Sequence, residues 1–120
     1  MSELGFGLLR EMNFTRRNRW HNQETEPWTG ADWSNAMCGE AGEAANVVKK
    51  LRRHETKTSP QGDPGEDDLR LALADELADV VTYCDLLAAF YGIDLGEAVA
   101  SKFNYVSRQQ GFPERLPVGR

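Results

Sequence analysis

Two long stretches of this sequence repeat apolar residues every three to four positions, and each sets an acid in the middle of the repeat. The first runs from about Thr29 to Arg53 and carries Trp33, Met37, Ala44, Val47, Val48 and Leu51. The second runs from about Asp67 to Tyr91 and carries Leu69, Leu73, Leu77, Val80, Cys84, Leu87 and Tyr91. That spacing predicts two helices, each with one face made for packing. Thr29 or Asp32 can cap the first and Gly92 can stop the second. Basic residues Lys49, Lys50, Arg52 and Arg53 crowd the end of the first, where they favour the helix dipole. Between the two, His54 to Glu66 holds Ser59, Pro60, Gly62, Pro64 and Gly65 and almost nothing apolar. A loop is expected there, mobile, and either a lid or a plain connector.

The flanks are less regular. Residues 2–19 can hold a helix, but Gly5 and Gly7 weaken the pattern. Thr25 to Gly30, with Pro27, reads as a turn. Asp94 can cap a last helix running to about Gln110, ended by Gly111 and Pro113. No period-2 alternation supports a sheet. The expected fold is all-α and four-helix-bundle-like, with the two long helices as an antiparallel core pair. We expect a single domain over residues 1–120, its core at 13–113.

The acids form two short motifs, Glu40-x-x-Glu43 in the first helix and Glu76-x-x-Asp79 in the second. Acidic pairs decorate most solvated helices, so the face they occupy decides their meaning. At about 100° per residue, Trp33, Val47 and Leu51 fall within about 20° of Glu40, and Leu69, Tyr83 and Leu87 within about 20° of Glu76. Glu43 and Asp79 each lie about 60° to the same side. Both helices thus push a carboxylate into the surface that should pack. A buried carboxylate must be protonated, paired or bound to a cation. Ala41, Gly42, Ala44, Ala45, Ala72, Ala74 and Ala78 leave room around these acids. Four carboxylates from two facing helices make an oxygen-only cage suited to Mg²⁺ or Mn²⁺. Pairing with Lys49, Lys50 or Lys102 is the simpler alternative. A di-iron bundle would need Glu-x-x-His, and His21 and His54 lie outside the motifs.

Composition narrows the function classes. A net charge of −5 over 120 residues argues against a nucleic-acid polymer as partner, although a cation could still bring in a small phosphorylated ligand. No apolar run is long enough to cross a membrane, and Met1 to Arg10 lacks the pattern of a signal peptide, so a cytoplasmic protein is expected. Cys38 and Cys84 are expected to be small buried hydrophobes, kept reduced.

Taken together, the motifs resemble the MazG-like all-α nucleoside triphosphate pyrophosphohydrolases. The run from Trp33 through Glu40-Ala41-Gly42-Glu43 to Asn46 is similar to that family's first motif helix, Glu76 to Val81 to its second, and Lys102-Phe103-Asn104 to a weaker third element. The resemblance covers roughly residues 13–113. It implies Mg²⁺ held by Glu40, Glu43, Glu76 and Asp79, attack of a metal-activated water on the α-phosphorus, and release of pyrophosphate. It implies Lys102 on phosphate, Asn104 on sugar or base, and assembly as a homodimer or homotetramer. One departure is Gly39, where some relatives carry a further Glu; any proton transfer then falls to Glu40, Glu43 or the metal. A relative that has lost catalysis, serving as a helical dimerisation or regulatory module, is the alternative.

Other residues are weaker candidates. Trp28 and Trp33 can stack on a base or simply pack, and Asn46 can face the base. Arg16, Arg19, Trp20 and His21 suit a surface or interface better than a pocket. Lys50 and Arg53 fit a solvated helix end better than a phosphate contact.

Overall fold

The computed structural model describes residues 3–21 and 27–118, with the His21 side chain left aside. Among these residues it is all-helical, with four helices and no strand: α1 (Phe6–His21), α2 (Gly30–Glu55), α3 (Glu66–Phe90) and α4 (Leu95–Gln110). The chain divides into two compact units. Trp28–Leu87 form one, and Met1–Pro27 with Ala88–Arg120 form the other.

The first unit is a helical hairpin. A reciprocal cap starts α2: Thr29 N–H donates to Asp32 Oδ2 at 2.8 Å, and Asp32 N–H donates to Thr29 Oγ1 at 3.3 Å. Two of the helix's unsatisfied N-terminal donors are met this way. Arg52, Arg53 and His54 sit in the last turn of α2, and Glu66, Asp67 and Asp68 open α3, so both ends complement the helix dipole. The helices run antiparallel. Trp33, early in α2, faces Tyr83, late in α3, at 6.2 Å between rings, while Arg53, late in α2, pairs with Asp63, just before α3, at 3.0 Å. Trp33, Ala44 and Leu69 are among its buried apolar side chains.

The connector, residues 56–65, makes several polar contacts with the end of α2. Besides the Arg53–Asp63 ion pair, His54 Nε2 lies 2.9 Å from the Pro64 carbonyl, and Thr56 Oγ1 donates to the Arg52 carbonyl at 3.1 Å. A solvated Arg53 was the simpler expectation; Asp63 holds it instead.

In the second unit α1 packs on α4. Gly96 makes this possible: a Cβ there would stand 3.1 Å from Phe6 Cβ. Arg10 adds a hydrogen bond to the Ile93 carbonyl at 2.7 Å. Asp94 caps α4 by accepting from Glu97 N–H at 3.0 Å. Gly111, at φ 72°, closes it in the left-handed conformation that glycine adopts without cost.

One expectation fails. Cys38 is exposed and only Cys84 is partly buried, and neither is in a disulfide. Cys38 lies two positions before Glu40, about 160° round the helix, and so on the outer side of α2.

Candidate metal centre

Side-by-side burial of α2 and α3 would ordinarily be sealed by leucines. Here the facing positions bring Glu40, Glu43 and Glu76 together, one oxygen of each within 4.8 Å of the others. Glu40 and Glu76 are half-buried and Glu43 is exposed. One oxygen of each half-buried acid, Glu40 Oε2 and Glu76 Oε2, is shut from solvent with no hydrogen-bond partner among the described residues.

Crowding of like charges moves their protonation. Glu76 is pushed up from 4.5 to about 7, first by hydrogen bonds to Glu40 and then Glu43, next by removal from water, and last by the negative charges of Glu43 and Glu40. For Glu40 the hydrogen bond from Glu76 pulls downward. Removal from water, a hydrogen bond with Glu43, and the charges of Glu43 and Asp79 outweigh it, and the net shift is upward. Both acids are thus pushed toward the protonated form by their mutual crowding, and they titrate as a coupled pair. Asp79 acts on this cluster through its charge rather than as one of the three close oxygens.

A hard divalent cation fits this donor set. Three carboxylates supply oxygen only, and the two orphaned oxygens are the kind of buried acceptors that a cation would satisfy. No lysine or arginine is paired with Glu40, Glu43 or Glu76 among the ion pairs of the described residues, so the simpler reading of a helix-edge salt bridge loses its support.

The other candidates sort by environment. Trp28 is half-buried and lies against Trp33 at 4.5 Å, tilted by 52°. Trp33 is buried and meets Tyr83 as well, so Trp33 packs and Trp28 is the outer ring of a three-membered row. Tyr83 lies seven residues after Glu76, about two helical turns on, and so shares that face. Asn46 is exposed on α2. Lys102 is exposed on α4, its ammonium 5.0 Å over the Tyr105 ring. Asn104 is buried, and its carboxamide is bonded to the backbone of Leu116. A carboxamide in mid-helix followed by a Gly-Phe-Pro stop was the visible hint.

No family model matches the sequence. It is, however, 37% identical over 84 residues to dCTP pyrophosphatase 1 of Mus musculus, a match taking in 70% of this chain and 46% of that protein. The chain belongs to the MazG-like all-α family. It spans a little under half the length of the curated relative it matches. The all-helical architecture is the one that the resemblance implies, and three of the four acids it names, Glu40, Glu43 and Glu76, lie close together. Among the described residues, no helix is long and apolar enough to cross a membrane.

Proposed function

We propose that this chain hydrolyses a (deoxy)nucleoside triphosphate between its α and β phosphates, giving the monophosphate and pyrophosphate. The observation that carries the proposal is the approach of Glu40, Glu43 and Glu76 within 4.8 Å on the packing face of the α2–α3 hairpin. These three, with Asp79 as a fourth carboxylate, would hold Mg²⁺ or, in its place, Mn²⁺. A bound cation would neutralise phosphate oxygens and acidify water.

The chain's own groups would do the rest. Glu43, the exposed member of the cluster, would take the proton of a water attacking the α-phosphorus; the bond from that phosphorus to the bridging oxygen breaks and pyrophosphate departs. With Gly39 in place of a further acid, Glu40 is the other carboxylate available for this step. Glu76 would have to give up its proton before the cluster carries full charge, so cation affinity should rise with pH up to about 7. Trp28 would offer a ring to the base and Asn46 a side-chain amide, while Lys102 would neutralise phosphate as a point charge. The similarity to a dCTP pyrophosphatase makes dCTP the first substrate to try.

We also propose assembly of two or four copies. Leu71, Leu77 and Val81 on α3 and Val99, Phe103 and Val106 on α4 are all exposed in the single chain, and a 120-residue protein gains from covering such faces.

The direct test is to incubate the purified protein with canonical and modified nucleoside triphosphates, with Mg²⁺ and with Mn²⁺, and to separate the products. Monophosphate plus pyrophosphate supports the proposal. No product from any of them, from a protein that is folded by circular dichroism, refutes it in favour of a non-catalytic helical module.

A further inference from the structure

The segment that follows α4 turns back toward that helix. Phe112 N–H donates to the Ser107 carbonyl at 2.8 Å, which reverses the chain past Gly111. The Arg115 guanidinium then gathers the Phe112 and Glu114 carbonyls at 2.7 and 2.8 Å and holds a local turn. The next residue, Leu116, presents its backbone to Asn104. Leu116 N–H donates to Asn104 Oδ1 at 2.7 Å, and Asn104 Nδ2 donates to the Leu116 carbonyl at 2.9 Å.

Asn104 is a costly choice for the middle of a helix. Asparagine is a poor helix former, and at 6% exposure an unbonded carboxamide would lose its hydration without return. Its neighbours on the same face, Ala100 and Ser107, are small and also buried. They leave space for a strand of chain to lie close. The two short bonds from Asn104 imitate one rung of a β-ladder, with a side chain in place of the second strand.

We infer that residues 112–118 form a strap latched to α4 by Asn104, and that Asn104 serves this latch rather than a nucleotide. Leu116 offers one donor and one acceptor, the same pairing that the edge of a base would offer. The two therefore compete for the same Oδ1 and Nδ2, and the buried position favours the strap. Asn104 is on this reading a positioning residue for the 112–118 segment. The inference does not depend on the proposed activity.

Two variants test it. Asn104→Ala removes the latch from the helix side. Leu116→Pro removes the N–H from the strap side and leaves Asn104 intact. Cleavage after Glu114 by a glutamate-specific protease, followed by mass spectrometry, reports strap opening in both. Each variant should be cut at least about tenfold faster than the natural chain, and the double variant no faster than either. Binding of dCTP with Mg²⁺ should change alike in the two. Unchanged cleavage in both variants would overturn the inference. So would loss of dCTP binding in Asn104→Ala alone, because that outcome makes the carboxamide a nucleotide contact.

Discussion

The α2–α3 hairpin and α4 each bury polar side chains, and they treat them in opposite ways. Between α2 and α3, Glu40 and Glu76 keep a buried oxygen apiece with no donor among the described residues, and their crowding raises the pKa of both. On α4, Asn104 is more deeply buried yet has both a donor and an acceptor engaged at short distance. Since a buried polar group left unmatched is expensive, the first arrangement is the one that a bound cation would relieve, as proposed above. The second is complete in itself. Within one small chain, residual hydrogen-bonding capacity thus separates the proposed metal site from the proposed latch.

The largest effect should come from removing an acid on the unfinished side. Glu76→Gln or Glu43→Gln should lower turnover by roughly 100-fold or more, as loss of a charged group from a reacting centre does, while helix content by circular dichroism stays the same. Activity within a few fold of the natural chain in both variants would dissolve the contrast. Next in size is stabilisation by the cation. Mg²⁺ at about a hundred times its Kd should add about 2.7 kcal/mol to stability, read as a rise in melting temperature that Glu76→Gln abolishes. A shift that survives in that variant would place the cation elsewhere.

Protonation gives a finer test of the same cluster without metal. Glu76 holds its proton up to about pH 7 in the folded chain, against 4.5 when unfolded. The folded state therefore binds more protons across that interval, and stability should fall as pH rises from 4.5 to 7. Urea midpoints measured in a chelating buffer should decline over that window, and Glu76→Gln should flatten the decline. A midpoint that instead rose through the window would mean that the acids are paired. The smallest effect belongs to a group common to both regions in kind, a helix cap. Thr29→Ala should cost about 1 kcal/mol in urea unfolding and leave turnover per folded molecule unchanged. A selective loss of turnover would tie the start of α2 to the site.

Much of the unfinished side was legible in advance, because it depends on helical phase alone. Glu40 and Glu76 stand at the centre of apolar stripes, and α2 and α3 came out within two residues of their expected ends. What phase could not show is anything resting on a partner distant in the chain. α1 reads weakly because Gly5 and Gly7 blur the pattern, and its support comes from Gly96 receiving Phe6 and from Arg10 reaching Ile93. Arg53 reads from the sequence as part of a solvated helix end, and only the turn brings it to Asp63. Asn104 could be matched by type to a family element, but type does not name a partner, and Leu116 engages it through backbone atoms that are the same in every residue. Cys38 was misjudged for a plainer reason: a small apolar side chain on the outer face of a helix costs little, so composition overstated its burial.

The Arg53–Asp63 tie also has a bearing on time. Its partners are only ten residues apart, so it closes a short loop and can form early. From there α2 and α3 can zip toward Trp33 and Tyr83, passing Glu40 and Glu76 on the way. On that route the closed end would be the nucleus of the hairpin and the carboxylates would assemble late. Substitution of Asp63 would then slow folding, whereas a cation captured by the finished cluster would leave the folding rate alone and slow unfolding.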